Sequence, residues 1–158
     1  MFCWFIGTAI VTVWAVFRDP QFDYRLVIVG ALVPLLDGVT GGAWVLHTLA
    51  FSLALLLLVM LTTAGRRPVR SILLGLPIGT MLHLVFDGVW ADAELFWWPL
   101  GGSGFAGPLP EGERGSWNVP LEIVGVALLV WVWRRSGLSD RAARRRFLGD
   151  GRLLTGRR

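Results

Sequence analysis

The chain has 158 residues, of which 54% are hydrophobic and 16% charged, and its mean hydropathy is +0.62. Soluble domains carry about a quarter charged residues, so these values exclude an ordinary soluble or disordered chain and indicate a small integral membrane protein of one domain. The net charge of +4 comes from 15 arginines with no lysine, and a single cysteine, Cys3, excludes an internal disulfide and a cysteine-rich zinc site.

Phe2 to Phe17 is an unbroken apolar run closed by Arg18-Asp19-Pro20, and it is expected to form the first span. The opening Met1-Phe2-Cys3-Trp4 has no basic n-region, so a retained helix is expected rather than a signal peptide. Tyr24 to Val39 is the second span, entered at Arg25 and left at Asp37-Gly38. Both runs are short for a bilayer that wants about 20 residues per helix. Pro34 leaves a re-entrant segment open as an alternative for the second. Gly41-Gly42 makes a tight turn, Ala43 to Ala64 is a full-length span, and Gly65-Arg66-Arg67-Pro68 stops it.

Ser71 to Val89 is the fourth span. It contains Gly75-Leu76-Pro77-Ile78-Gly79, a GxxxG pattern that permits close helix contact, with a proline expected to kink the helix. Trp90 to Ser116 is a long glycine-rich connection carrying Phe96-Trp97-Trp98, and its 99–117 part is placed to cover a site below it. Trp44, Trp90, Trp97 and Trp98 read as interfacial anchors, and Asp92 and Glu94 as solvated loop charges. Asn118 is a candidate cap for the fifth span, which runs to about Trp133, with Pro120 and Glu122 near its start. From Arg134 to Arg158 nine arginines face two acids, Asp140 and Asp150. Residues 135–158 therefore read as a cytoplasmic tail that meets anionic lipid headgroups, with Ala143, Phe147 and Leu148 as a weak apolar edge. The tail lacks interleaved aromatics, which argues against nucleic acid.

Arginine placement orients the bundle. With the N-terminus outside and five spans threaded, the 18–25 loop, the 65–70 loop and the tail lie inside and hold 14 of the 15 arginines; only Arg114 lies outside. The expected fold is thus an all-α membrane bundle of about five transmembrane helices, N-terminus out and C-terminus in.

That topology carries five ionisable residues, distant in sequence, to one depth on the outer side: Asp37, His47, His83, Asp87 and Glu122. His83 and Asp87, four residues apart, share a helix face, and ionisable groups inside a span mark functional sites. Two imidazoles and two carboxylates suit a divalent ion, zinc above all. A coordination position left to water lowers that water's pKa toward neutrality. His47, His83 and Asp87 are candidate ligands and Asp37 a ligand or base; Asp37 and Asp87 are the candidate catalytic residues, as general base, with Glu122 the next candidate. The competing readings are a structural His–Asp cluster locking helices together and a small transporter subunit.

The segments Gly30-Ala31-Leu32-Val33-Pro34-Leu35-Leu36-Asp37, Leu46-His47-Thr48-Leu49-Ala50 and His83-Leu84-Val85-Phe86-Asp87, followed by Leu95-Phe96-Trp97-Trp98-Pro99, resemble the YdjM-like family of bacterial membrane-bound metal-dependent hydrolases. The resemblance covers about residues 30 to 99. It implies a metal-binding multi-helix protein of the bacterial cytoplasmic membrane with hydrolase character, and says little about substrate; if the chain is an enzyme, metal-assisted hydrolysis of an ester or phosphoester in a lipid-like or envelope substrate is expected. Leu35 stands where the family shows the first acid of its Pro-Asp-x-Asp segment, and Gly42-Ala43-Trp44 where it shows His-Arg-Gly. The residues that carry over are Asp37, His47, His83 and Asp87, enough for one metal and too few for two.

Overall fold

The computed structural model describes residues 1–19, 22–101 and 110–153, and among these all regular structure is helical. The main helices are α1 (Phe2–Phe17), α2 (Tyr24–Leu32), α3 (Leu49–Thr62), α4 (Arg67–Leu73) and α5 (Gly75–Asp87). They are followed by the short α6 (Ala93–Phe96) and α7 (Pro110–Glu113), then α8 (Asn118–Arg135) and α9 (Arg141–Asp150). Two continuous stretches, Arg67–Asp87 and Gly115–Arg135, are long and apolar enough to cross a membrane, at 21 residues each. Phe2–Phe17 and Leu49–Thr62 are apolar but shorter.

Glycines set the closest contacts. A Cβ on Gly30 would lie 2.2 Å from the Leu76 carbonyl oxygen, and one on Gly79 would lie 2.3 Å from that of Val27. With Gly75 against Leu26 and Val27, this makes α2 and α5 run side by side in the same direction, backbone to backbone. The Gly75–Gly79 pair is thus the contact face its spacing suggested. A second parallel pair forms where Gly125 of α8 meets Cys3 and Trp4 of α1, and Trp14 packs edge-on against Trp131 farther along.

Three local features differ from the expected spans. The second run leaves α-helix at Leu32 and continues as a 3-10 stretch, Val33–Thr40, because Pro34 has no N–H for an α-helical bond. The third helix begins at Leu49 rather than Ala43, where Thr48 Oγ1 accepts from the Phe51 N–H at 3.1 Å; a separate 3-10 turn, Val45–His47, precedes it. The interruption expected at Pro77 falls one turn earlier, at Leu74, since a proline disturbs the carbonyl four residues before it.

The ends of α1 and α8 are joined by Glu122. Its two carboxylate oxygens accept from the Cys3 and Trp4 amides at 3.0 and 3.1 Å, so it caps α1 rather than its own helix. Asn118 is the first residue of α8, and Trp117 rather than Asn118 holds the cap position.

The chain after α8 folds back. Leu138 and Leu153 are buried in one cluster with Ala9, Ile10, Val13, Tyr24, Val27 and Val132. Arg25 Nη1 donates to the Leu148 and Gly149 carbonyls at 2.8 Å each, closing the end of α9 onto the start of α2. Tyr24 N–H donates to the Gly151 carbonyl at 3.0 Å. Asp23 anchors this clasp by accepting from both the backbone and the guanidinium of Arg25. Burial pulls the Asp23 pKa upward, but those hydrogen bonds outweigh it and hold the carboxyl below its ordinary range. Ala143 and Phe147 are the half-buried face of α9, while Leu148 and the arginines of α9 are exposed.

Candidate metal centre

The centre is assembled where α2, α3 and α5 meet, at the end of the bundle away from α9. α5 supplies His83 and Asp87 from successive turns of one face, and both are buried. The 3-10 turn before α3 supplies His47, also buried. One donor atom from each of these three residues lies within 4.8 Å of the others.

Hydrogen bonds fix which nitrogen each imidazole offers. In the 3-10 register after α2, the Ala31 carbonyl faces position 34, a proline with no N–H to give. That carbonyl instead accepts from His83 Nδ1 at 2.7 Å. His83 Nε2 therefore keeps its lone pair, and it is buried without a hydrogen-bond partner among the described residues. His47 Nδ1 lies 2.9 Å from Asp37 Oδ2, an acceptor, so it carries the proton there and Nε2 is again the open nitrogen. That Nε2 is 3.7 Å from Asp87 Oδ2. The two rings meet edge to face at a centroid distance of 5.3 Å, and Phe5 stacks on His83 at 3.9 Å.

The sequence-predicted residues thus divide. His47, His83 and Asp87 converge as donors. Asp37 is buried and stands behind His47, where Oδ2 also accepts from the Trp44 N–H at 2.9 Å. A carboxylate on the far nitrogen of a ligating histidine fixes the ring and raises its basicity. Glu122 belongs to the α1 cap, Asp92 caps α6 through the Glu94 and Leu95 amides, and Glu94 is exposed.

One residue outside the expected set reaches the centre. Arg114, between α7 and the 3-10 turn Gly115–Trp117, donates through Nη2 to Asp87 Oδ1 at 2.7 Å and to the Asp87 carbonyl. Its signal in the sequence was positional: it is the one arginine that positive-inside counting leaves on the outer side. The connection that carries it includes residues 102–109, so part of the 99–117 loop expected to cover the site lies outside the described residues.

Donors spaced as these are leave a common point at most about 2.8 Å from each, so shifts under about 1 Å reach the 2.0–2.2 Å of zinc coordination. Two imidazoles and one carboxylate with a further position open is the ligand pattern of catalytic rather than structural zinc sites. The same donors also accept other divalent first-row ions. In comparisons with known proteins, no family model, no curated protein and no solved structure matches the chain.

Proposed function

We propose that this chain is a multi-pass protein of the bacterial cytoplasmic membrane, with about five spans, its N-terminus outside and its arginine-rich C-terminus inside, and that it is a metal-dependent hydrolase. His47, His83 and Asp87 hold one divalent ion, zinc by donor type, and Asp37 orients His47. The substrate is an ester or phosphoester of lipid-like or envelope origin. The observation that carries this reading is the convergence of three buried donors, two of them imidazoles whose Nδ1 is engaged by Asp37 and the Ala31 carbonyl and whose Nε2 is thereby left as the donor.

The membrane part draws on the apolar surface. Leu53, Leu57, Leu58 and Leu61 of α3 and Val119, Ile123 and Val126 of α8 are exposed, more apolar surface than a soluble monomer leaves in contact with water. The parallel pairing of α1 with α8 and of α2 with α5 agrees with alternate spans pointing the same way. The YdjM-like motifs at residues 30–99 fall on the same three donors and on Asp37. A bound divalent ion would supply Lewis acidity and an activated water at near-neutral pH.

A second reading, a purely structural polar lock, draws on the Asp37–His47 and Asp87–Arg114 pairs, which already join separate segments. Metal analysis of the detergent-purified chain separates the two. The hydrolase reading expects about one zinc per chain, lost in His83→Ala. Equal and negligible metal in both proteins leaves the structural lock. A hydrolase also turns over ester or phosphoester substrates only when metal-loaded, and turnover unaffected by chelation would refute the reading.

A further inference from the structure

We propose that Arg114 binds a phosphate group beside the His47–His83–Asp87 donor set, so that the site takes a phosphate ester rather than a neutral carboxylic ester. The inference rests on the metal reading above and narrows its substrate.

The first argument is the way the guanidinium is used. A guanidinium that serves only to balance a carboxylate usually pairs with it as a fork, one nitrogen to each oxygen. Here Nη2 alone serves Asp87, through both the side-chain oxygen Oδ1 and the main-chain carbonyl. Nη1 is buried and has no hydrogen-bond acceptor among the described residues. Arginine does not shed its proton to escape this, so a buried N–H donor is left waiting for an acceptor. The planar fork keeps Nη1 within about 5 Å of Asp87 Oδ1, hence beside the donors.

The second argument is access. The Arg114 side chain is 22% exposed and that of Asp87 is 1% exposed, so of this pair the arginine is the part that the outside reaches. The third argument is charge. With both imidazoles neutral, the centre holds two carboxylates, Asp37 and Asp87, and one guanidinium. Adding a divalent ion leaves one positive charge in excess in a buried place. An anionic phosphate relieves it and a neutral ester does not. A tetrahedral phosphate also presents several oxygens, so one can face the ion while another accepts from Nη1.

The test uses the full chain in detergent, loaded with zinc, as wild type, Arg114→Gln and Arg114→Lys. Zinc content is measured first, and then binding of inorganic phosphate and of dihexanoyl phosphatidic acid by calorimetry. The expected result is unchanged zinc with a loss of about tenfold or more in affinity for both probes in Arg114→Gln, and a smaller loss in Arg114→Lys, which keeps the charge without the fork. The probe that binds wild type more tightly identifies a free or a lipid-borne phosphate as the source. Intact zinc with equal phosphate affinity in wild type and Arg114→Gln overturns this inference alone; wild type without zinc overturns it together with the reading beneath it. If Arg114→Gln fails to fold, phenylglyoxal labelling of wild type with peptide mapping decides. Phosphate should slow labelling of Arg114 several-fold while leaving the arginines of α9 unaffected, and an unchanged rate at Arg114 refutes the proposal.

Discussion

Asp37→Asn is the sharpest test of how the centre is built. The sequence alone makes Asp37 a ligand or a base, whereas the structure puts Oδ2 at 2.9 Å from both His47 Nδ1 and the Trp44 amide. Asparagine keeps the size and one acceptor oxygen, so the turn between Asp37 and His47 should hold. It removes the anion that fixes the His47 tautomer and strengthens Nε2 as a donor. Losing such a partner typically weakens metal binding 10- to 100-fold, which is about 1.4–2.7 kcal/mol. Competition with a chromophoric chelator at near-neutral pH measures this directly. The expected outcome is zinc at unchanged stoichiometry and reduced affinity by that factor. Unchanged affinity would show that Asp37 does not tune His47. Complete loss of zinc, matching His83→Ala, would make Asp37 a ligand itself and refute the orienting role.

Other consequences are equally measurable. Gly79→Leu drives a side chain into α2 backbone, where even a Cβ would lie 2.3 Å from the Val27 carbonyl oxygen. A cost of at least 1–3 kcal/mol is expected from overpacking, together with loss of zinc, because His83 reaches Ala31 across that contact; thermal unfolding in detergent and metal content report the two. Glu122→Gln removes the charge from the α1 cap and should cost about 0.5–2 kcal/mol without changing zinc stoichiometry, read as a lower unfolding midpoint. The Asp23 clasp should depend on acid. Its folded pKa is lowered, so its contribution is present in full above the unfolded value near 3.9 and is lost as pH falls through the lower folded value. Hydrogen exchange in residues 141–150 should therefore stay protected down to about pH 4 and rise below it. Asp23→Asn should show the faster exchange at neutral pH, and equal protection in both proteins would refute the clasp.

Helical character, the apolar runs and the Gly75–Gly79 contact face were legible because each is local or periodic. His47, His83 and Asp87 were legible as candidates because ionisable residues are rare in these apolar runs, so each stood out. What escaped was whatever depends on a partner far along the chain. Asp37 looked equivalent to the other acids, and only the 3-10 path from Val33 to Thr40 turns it toward the back of His47. Arg114 looked like an exception to a topological count, and its proximity to Asp87 depends on how the connection before α8 returns to α5. Glu122 sits where a helix-dipole acid belongs, and nothing in its neighbours reveals that it serves α1. In the tail, the arginines masked Leu138 and Leu153, which the fold draws into the core.

The Glu122 cap has a consequence for the order of assembly. The amides it satisfies belong to Cys3 and Trp4, 119 and 118 residues earlier in the chain. A ribosome makes α1 first and Glu122 only after α5 is complete. Throughout that interval the leading turn of α1 has no acceptor within its own helix for these two N–H groups and must find one elsewhere. Final seating of the earliest helix therefore waits on one of the last to emerge, and a nascent chain stopped short of residue 122 would hold α1 formed but loosely docked.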